Sequence, residues 1–546
     1  MSKEYSFSVM PSVSISRSRF ARKSQHKTSF NLGQIVPIYV DEVLPGDTRS
    51  IDMASLVRMS TPIAPIMDNI YIDYFAFYVP NRLTWVHWKE FAGENNTGAG
   101  IPLVSYTIPK CAPAAYTGNA QVGSYADFMG IPTGVGSIFD KISALPMRGL
   151  ALIYNRWFRD QNLIAPLAVN TGDTSGVIVG DGSSGIFRNS SSILKAAKLH
   201  DYFTSSLPYA QKGSAVSLPL GTSAPIVVKS TSMGSSGEDM ILGVKGGNVS
   251  GVNLTNAGLL GNSGDYASND AWDANIYADL TTATAATIND LRYAFQLQKL
   301  LEKDALYGTR YWELLASHFG VEAADASLQD PEYLGGFRQN VNIDQVLSTA
   351  DYTNTISTKV GQPGANSVTG NKSSMFTKSF KEHGYIYILA VARHDQTYGQ
   401  GVNRMWTRSG RFDFYWPVFA NLGAQEVKNI EIYAQGSTVV DGNGKVIDDK
   451  IFSYQEAWAE YRFKPSVCTN LMNPHVTGSL NYWTLANDFG SLPTLGQTFI
   501  EQGRDNIQRA LVTGSSGPDF IADFYFIDIA VRPMPMYSIP GLIDHH

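Results

Sequence analysis

Phe520-Ile-Ala-Asp-Phe-Tyr-Phe-Ile-Asp-Ile-Ala-Val531 is the longest of a series of strand-like runs that recur along this chain. Its aromatic and β-branched residues favour a pleated, half-buried backbone. Working back from it, Gly384-Tyr-Ile-Tyr-Ile-Leu-Ala-Val-Ala392 and Tyr71-Ile-Asp-Tyr-Phe-Ala-Phe-Tyr-Val79 have the same character, the latter stopped by Pro80-Asn81. Arg411–Trp416, Ile430–Ala434 and Glu456–Phe463 read as further strands. Ile35-Val-Pro-Ile-Tyr-Val40 carries Pro37, which cannot donate to a ladder and so suits an edge. Strands near both ends of the chain, widely spaced between, predict a closed or two-sheet antiparallel scaffold with its extra length in loops.

Helical periodicity is rarer. Leu291, Ala294, Phe295, Leu297 and Leu301 fall on one face of Asp290–Gly308, with Gln296, Lys299 and Lys303 opposite. Tyr311, Leu314, Leu315 and Phe319 repeat the pattern, and Met147–Phe158 follows Pro146 as a third helix. These are expected to decorate inter-strand loops. Residues 167–289 are rich in Gly, Ser, Thr, Asn and Ala, and the part from 227 to 288 is expected to protrude as a surface insertion.

Charged residues make up only 16 % of the 546, against about 25 % in an average soluble protein. Surfaces covered by neighbouring copies are depleted of charge and enriched in aromatics, and 28 Tyr and 26 Phe fit that reading. A large β-rich protein with an aromatic core fits equally well. The charge is unevenly placed. Residues 1–40 carry Lys3, Arg17, Arg19, Arg22, Lys23 and Lys27 against Glu4 alone, a balance of +5, which leaves −11 for the remainder of a chain of net −6. Residues 1–30 therefore read as a basic arm, extended and ordered only by contact, ahead of an acidic body at 31–546.

No His-Glu-x-x-His, P-loop or Gly-x-Ser-x-Gly signature is present, so no catalytic residue, metal ligand or cofactor site is predicted. Asp441-Gly-Asn-Gly-Lys-Val-Ile-Asp448 lacks the sixth-position glycine of a calcium loop and reads as a hairpin turn. Cys111 and Cys468 cannot make a disulfide framework. The start is polar and no apolar run approaches a membrane span, so neither secretion nor membrane insertion is expected. Two basic patches remain as candidate nucleic-acid contacts. One is Arg17, Arg19, Arg22, Lys23 and Lys27, with Phe20, His26 and Phe30 between them. The other is Arg404, Arg408 and Arg411, interleaved with Trp406. Single strands are held by such a combination of charge neutralisation and stacking. Contacts between subunits, and arginines that bridge loops to the acidic body, are the competing readings.

Several blocks resemble the Microviridae major capsid protein, closest to the gokushovirus branch. They include His26-Lys-Thr-Ser-Phe-Asn31, Pro37-Ile-Tyr-Val-Asp-Glu-Val-Leu-Pro-Gly-Asp-Thr48, Asn155-Arg-Trp-Phe-Arg-Asp-Gln-Asn-Leu163, Gln455-Glu-Ala-Trp-Ala-Glu-Tyr461 and Arg532-Pro-Met-Pro535. The resemblance runs in order over nearly the whole chain, leaving mainly 227–288 unmatched. It implies an all-β, eight-stranded antiparallel jelly roll with large insertions, and sixty copies in a T=1 icosahedral shell around circular single-stranded DNA. It further implies assembly in a bacterial host's cytoplasm, a separate small basic DNA-packaging protein, and a threefold protrusion at 227–288 that meets a host receptor. Sixty arms of +5 give about 300 charges, far fewer than the phosphates of even a small genome, which agrees with a separate packaging protein. A jelly-roll carbohydrate-binding or host-adhesion protein is the alternative that the Ser/Thr/Asn-rich insertion suggests.

Overall fold

The structure is a computed structural model that describes residues 16–94, 106–114, 116–180, 185–213, 216, 226–229, 240–241, 275–278, 288–306, 329–349, 360–361 and 363–537. The chain divides into two compact units, one of residues 1–210 and 307–546, the other Gln211–Leu306.

The first unit is built on two four-stranded antiparallel sheets. We label their strands β1 (Ser18–Phe30), β2 (Ile35–Val43), β3 (Thr48–Met59), β4 (Ile70–Pro80), β5 (Glu332–Asn340), β6 (Thr369–Ser379), β7 (Gly384–His394) and β8 (Phe520–Arg532). One sheet has the order β1-β8-β3-β6 and the other β2-β7-β4-β5. Strands from opposite ends of the chain are neighbours, with Ser18 facing Arg532 and Phe30 facing Phe520. The basic arm is thus corrected in its second half: Ser18–Phe30 is a sheet strand, while 1–15 lie outside the described residues. β2 is an edge strand, and Pro37 sits where its pairing with β7 slips at Ile388/Leu389, a place that needs no donor.

The two sheets differ in how they are covered. Along β8, buried and more exposed residues alternate, with Phe520, Ala522, Phe524, Phe526, Asp528 and Ala530 on the buried side. One face of this first sheet therefore packs on the core and the other meets solvent. β7 is buried continuously from Ile386 to Ala392, because insertions cover the second sheet's other face. Helix α1 (Leu145–Ile153) lies there, with the Tyr387 hydroxyl donating to the Pro146 carbonyl at 2.7 Å. Gly335, at φ +155°, brings β5 so close to β6 that a Cβ would sit 2.5 Å from the Met375 carbonyl oxygen. Only glycine fits there.

Three expected strands are turns. Asp413 accepts from the Ser409 and Gly410 amides at 2.8 and 2.7 Å, folding Arg411–Asp413 into a 3-10 turn. Glu431 accepts from the Lys428 amide and starts a helical turn over Asn429–Ile432. Trp458, at φ +66°, breaks the run after a shorter strand at Ile451–Glu456. These turns surround a second, smaller core of Tyr202, Phe203, Tyr398, Val427, Ile432, Phe452, Ala459 and Phe499. Both cysteines are buried, and among the described residues neither is in a disulfide.

In the second unit, Ile226–Lys229 pairs with Met240–Ile241 and with Asn275–Ala278, and helix α2 spans Ile288–Leu306. The helix expected around Tyr311–Phe319 lies outside the described residues.

Candidate nucleic-acid and subunit interfaces

β1 sorts its cations by the two-residue period of a strand. Phe20, Arg22, His26, Thr28 and Phe30 turn toward the protein, while Arg19, Ala21, Lys23, Gln25, Lys27 and Ser29 turn to solvent. Arg17, just ahead of the strand, is also exposed.

Arg22 enters an ionic cluster at one end of the first sheet. Its Nη2 lies 2.8 Å from Asp41, and its Nε 3.6 Å from Asp528. At the centre is Arg49, fully buried, whose Nε donates to Asp528 at 2.9 Å and whose Nη2 reaches Asp41 at 2.5 Å and the Tyr39 hydroxyl at 3.1 Å. Arg532 joins through Asp47 at 3.1 Å. Burial alone would raise the Asp41 carboxyl, but hydrogen bonds and charge from Arg22 and Arg49 hold it below the ordinary carboxylate range. Burial likewise disfavours the charge on Arg22 and Arg49, yet their carboxylate partners raise both above the usual value. Tyr39 is pushed up by burial first and by the two aspartates next. Arg22 is therefore spent within the chain.

Arg19, Lys23 and Lys27 stand opposite Val531, Ile527 and Asp523 on the open face. Among the described residues none of the three is held in an ion pair; Asp523 is instead taken by Gln25, whose Nε2 donates to it at 2.8 and 2.7 Å. The next strands add Ile521 and Tyr525 from β8, Leu56 and Arg58 from β3, and Lys372 from β6, all exposed. Tyr525 sits across from Gln25, between the levels of Lys23 and Lys27. Among the described residues it is the ring available for stacking on this face. Phe20, His26 and Phe30 do not offer theirs, since they lie on the covered side and Phe30 stacks on Phe520 at 5.4 Å. Reading β1 and β8 together for alternation would have found Tyr525.

The second patch is arranged in the opposite way. Arg404 lies 3.5 Å from Glu431 and 4.0 Å from Glu460. Arg408, nearly buried, donates to Glu460 at 3.0 Å and lies over the rings of Tyr461 and Phe414, 4.4 and 5.4 Å from their centroids. Burial raises the Glu431 carboxyl, a shift that Arg404 moderates. Arg411 stacks on Trp416 at 5.1 Å, and Trp416 returns its indole N–H to the Arg411 carbonyl at 3.1 Å. Trp406 projects into solvent. Among the described residues no cluster of His, Cys, Asp and Glu could hold a metal ion, and no helix is long and apolar enough to cross a membrane.

Comparison with known proteins gives the class directly. Residues 8–542 match the family described as capsid protein (F protein), and the chain belongs to that family. Its relatives include capsid protein VP1 of Bdellovibrio phage phiMH2K, 40 % identical over 98 % of both chains. VP1 of Chlamydia phage 1 is 37 % identical, and VP1 of Spiroplasma virus 4 is 36 % identical, each over 98 % of this chain and 97 % of the relative. The expected kinship with gokushovirus-type Microviridae capsid proteins is thereby established, and the chain is a virion component.

Proposed function

We propose that this major capsid protein closes into a T=1 shell of sixty copies around circular single-stranded DNA, with the open face of the first sheet turned to the genome. The observation that carries the reading is the row Arg19, Lys23 and Lys27, exposed beside Tyr525 and, among the described residues, without a counter-ion. Cations held ready and unpaired suit a polyanion, and an exposed ring among them suits unpaired bases.

The order β1-β8-β3-β6 against β2-β7-β4-β5 supports the finer fold reading, an eight-stranded jelly roll, since successive strands alternate between the sheets except for β4 and β5, which pair with each other. Separate charge supply also belongs to the proposal. With Arg22 neutralised, Arg17, Arg19, Lys23 and Lys27 provide about 240 charges over sixty copies, so a small basic packaging protein or polyamines must neutralise most of the genome. Residues 227–288 are assigned to a threefold protrusion that contacts the host receptor, supported by their divergence from the rest of the chain in composition.

The test is direct. Full-length protein, expressed in bacteria, is expected to sediment as uniform particles that protect single-stranded DNA from nuclease. Free subunits should bind single-stranded oligonucleotides with a log–log salt slope to which Arg17, Arg19, Lys23 and Lys27 contribute about −2.8, compared with about −3.5 had Arg22 also been free. Replacing Arg19, Lys23 and Lys27 by Ala should make the slope shallower by about 2.1. A slope unchanged by that replacement would remove the genome-facing role, and protein that never leaves the subunit state would remove the shell.

A further inference from the structure

The loop over 404–422 holds Arg404 and Arg408 inward and its rings outward, the reverse of what a nucleic-acid site needs. We propose that this aromatic loop, with the apolar groove beside it, is a contact seat for a second copy of the same chain. The inference rests on the capsid reading and says where one of its subunit contacts lies.

Three observations carry it. The first is contiguity. Phe412, Phe419, Leu422, Ala424, Ala457 and Trp458 line an open groove of about 310 Å³. Phe412 meets Phe419 edge-on at 6.1 Å, and Tyr415 meets Trp458 edge-on at 5.6 Å and Tyr461 at 6.2 Å. Rings and groove are one surface.

The second is area. Trp406 is 73 % exposed, Phe412 70 %, and Val418 89 %, while Phe414, Tyr415, Trp416, Met405 and Leu422 are each exposed by two-fifths or more. At about 150–250 Å² for a whole aromatic side chain, the five rings alone leave roughly 400–700 Å² in water. That reaches or passes the largest apolar patch of an ordinary monomer, about 300–600 Å². With Met405, Val418 and Leu422 added, it approaches the roughly 800 Å² that each partner gives to a stable protein–protein contact.

The third is charge. Arg404 and Arg408 are already neutralised by Glu431 and Glu460, leaving Arg411 flat on Trp416. A surface rich in Trp, Tyr, Phe, Met and Arg but without net charge has the composition of a protein interface core. It offers little to a phosphate backbone. The loop is also fixed in advance. Asp413 ties the Ser409 and Gly410 amides, and the Trp458 indole N–H donates to the Phe419 carbonyl at 2.9 Å. Little ordering entropy is then lost on contact.

The test compares wild-type chain with a Trp406→Ser/Phe412→Ser/Val418→Asp variant, whose three sites are mostly in solvent and whose fold is checked by circular dichroism. Assembly is followed by sedimentation across a concentration series. Hydroxyl-radical footprinting of unmodified wild-type protein, as subunits and as particles, gives a readout that needs no substitution. Expected are at least a tenfold rise in the subunit concentration needed for particles, and protection of Met405, Trp406 and Phe412 in wild-type particles, including emptied ones. Particles that form at the wild-type concentration, or rings as reactive in particles as in subunits, would overturn the seat while leaving the shell intact. Protection that disappears when DNA is removed would overturn it in favour of nucleic acid. Wild-type protein that makes no particles would instead count against the capsid reading beneath it.

Discussion

β1 and the 404–422 loop look alike as sequence, each a run of arginines or lysines with aromatic residues between them. In the folded chain they are opposites. β1 shows Arg19, Lys23 and Lys27 to solvent and turns Phe20 and Phe30 inward. The loop ties Arg404 and Arg408 to buried carboxylates and shows Trp406, Phe412 and Phe414 instead. The difference teaches that a basic-aromatic run has no fixed meaning until the local backbone period assigns each side chain a face. A strand of period two separates alternate residues cleanly. In the loop, 3-10 turns and side-chain ties make the assignment, and the apolar residues lose.

The strongest way to break the comparison is to remove a cation that it calls structural. Arg49→Met leaves Asp528 buried without its main partner, and Arg408→Ala does the same to Glu460. Each is expected to cost about 3–5 kcal/mol, read as a lowered urea midpoint at unchanged slope. Lys23→Ala, on the open face, should stay within about 0.5 kcal/mol. Equal midpoints for Lys23→Ala and Arg408→Ala would erase the distinction.

A basic group that has neither carboxylate nor solvent sharpens it further. His394, at the end of β7, is fully buried; its Nδ1–H donates to the Asp395 carbonyl at 2.6 Å and its Nε2 has no hydrogen-bond partner among the described residues. Burial lowers its pKa to about 4, with Lys198 and Arg509 adding to the effect and Asp395 opposing it. The folded state thus refuses a proton that the unfolded chain takes up near 6.5. Stability from this group is complete above that value and falls as pH drops toward about 4, by at most about 3 kcal/mol. Urea midpoints between pH 7 and 4 should decline in the wild type and flatten in His394→Gln. The Asp41 carboxylate acts lower, since its contribution holds above the ordinary carboxylate value and is lost as pH falls through its depressed folded value.

What could be read from sequence follows from the same physics. β4, β7 and β8 announce themselves because aromatic and β-branched residues dominate them. β1, β3 and β6 do not, because their open faces carry Lys, Arg, Ser and Thr, and β1 and β3 place Arg22 and Arg49 on the covered side. An inward arginine reads as polar noise until its counter-ion is known, and Asp528 lies at the far end of the chain. The candidate cations were visible, but their partition into free and paired was not. Glu431 and Glu460, which neutralise Arg404 and Arg408, come from segments that pattern alone made into strands.

The smallest expected effect probes the ring rather than the charge. Tyr525 projects from β8 between the levels of Lys23 and Lys27, and its replacement removes no cation and no core contact that the sheet depends on. Tyr525→Ala should therefore leave the salt slope of single-strand binding unchanged, because phosphate contacts set that slope. It should weaken affinity at every salt concentration by about 1–3 kcal/mol, the usual worth of one stacked base. Phe20→Ala, one strand over but on the covered side, should do the reverse, lowering stability and sparing affinity. The pair separates a stacking ring from a packing ring at matched chemistry. If Tyr525→Ala binds single strands as tightly as wild type, the open face holds DNA by charge alone, and the aromatic half of the sequence pattern in β1 and β8 serves only the fold.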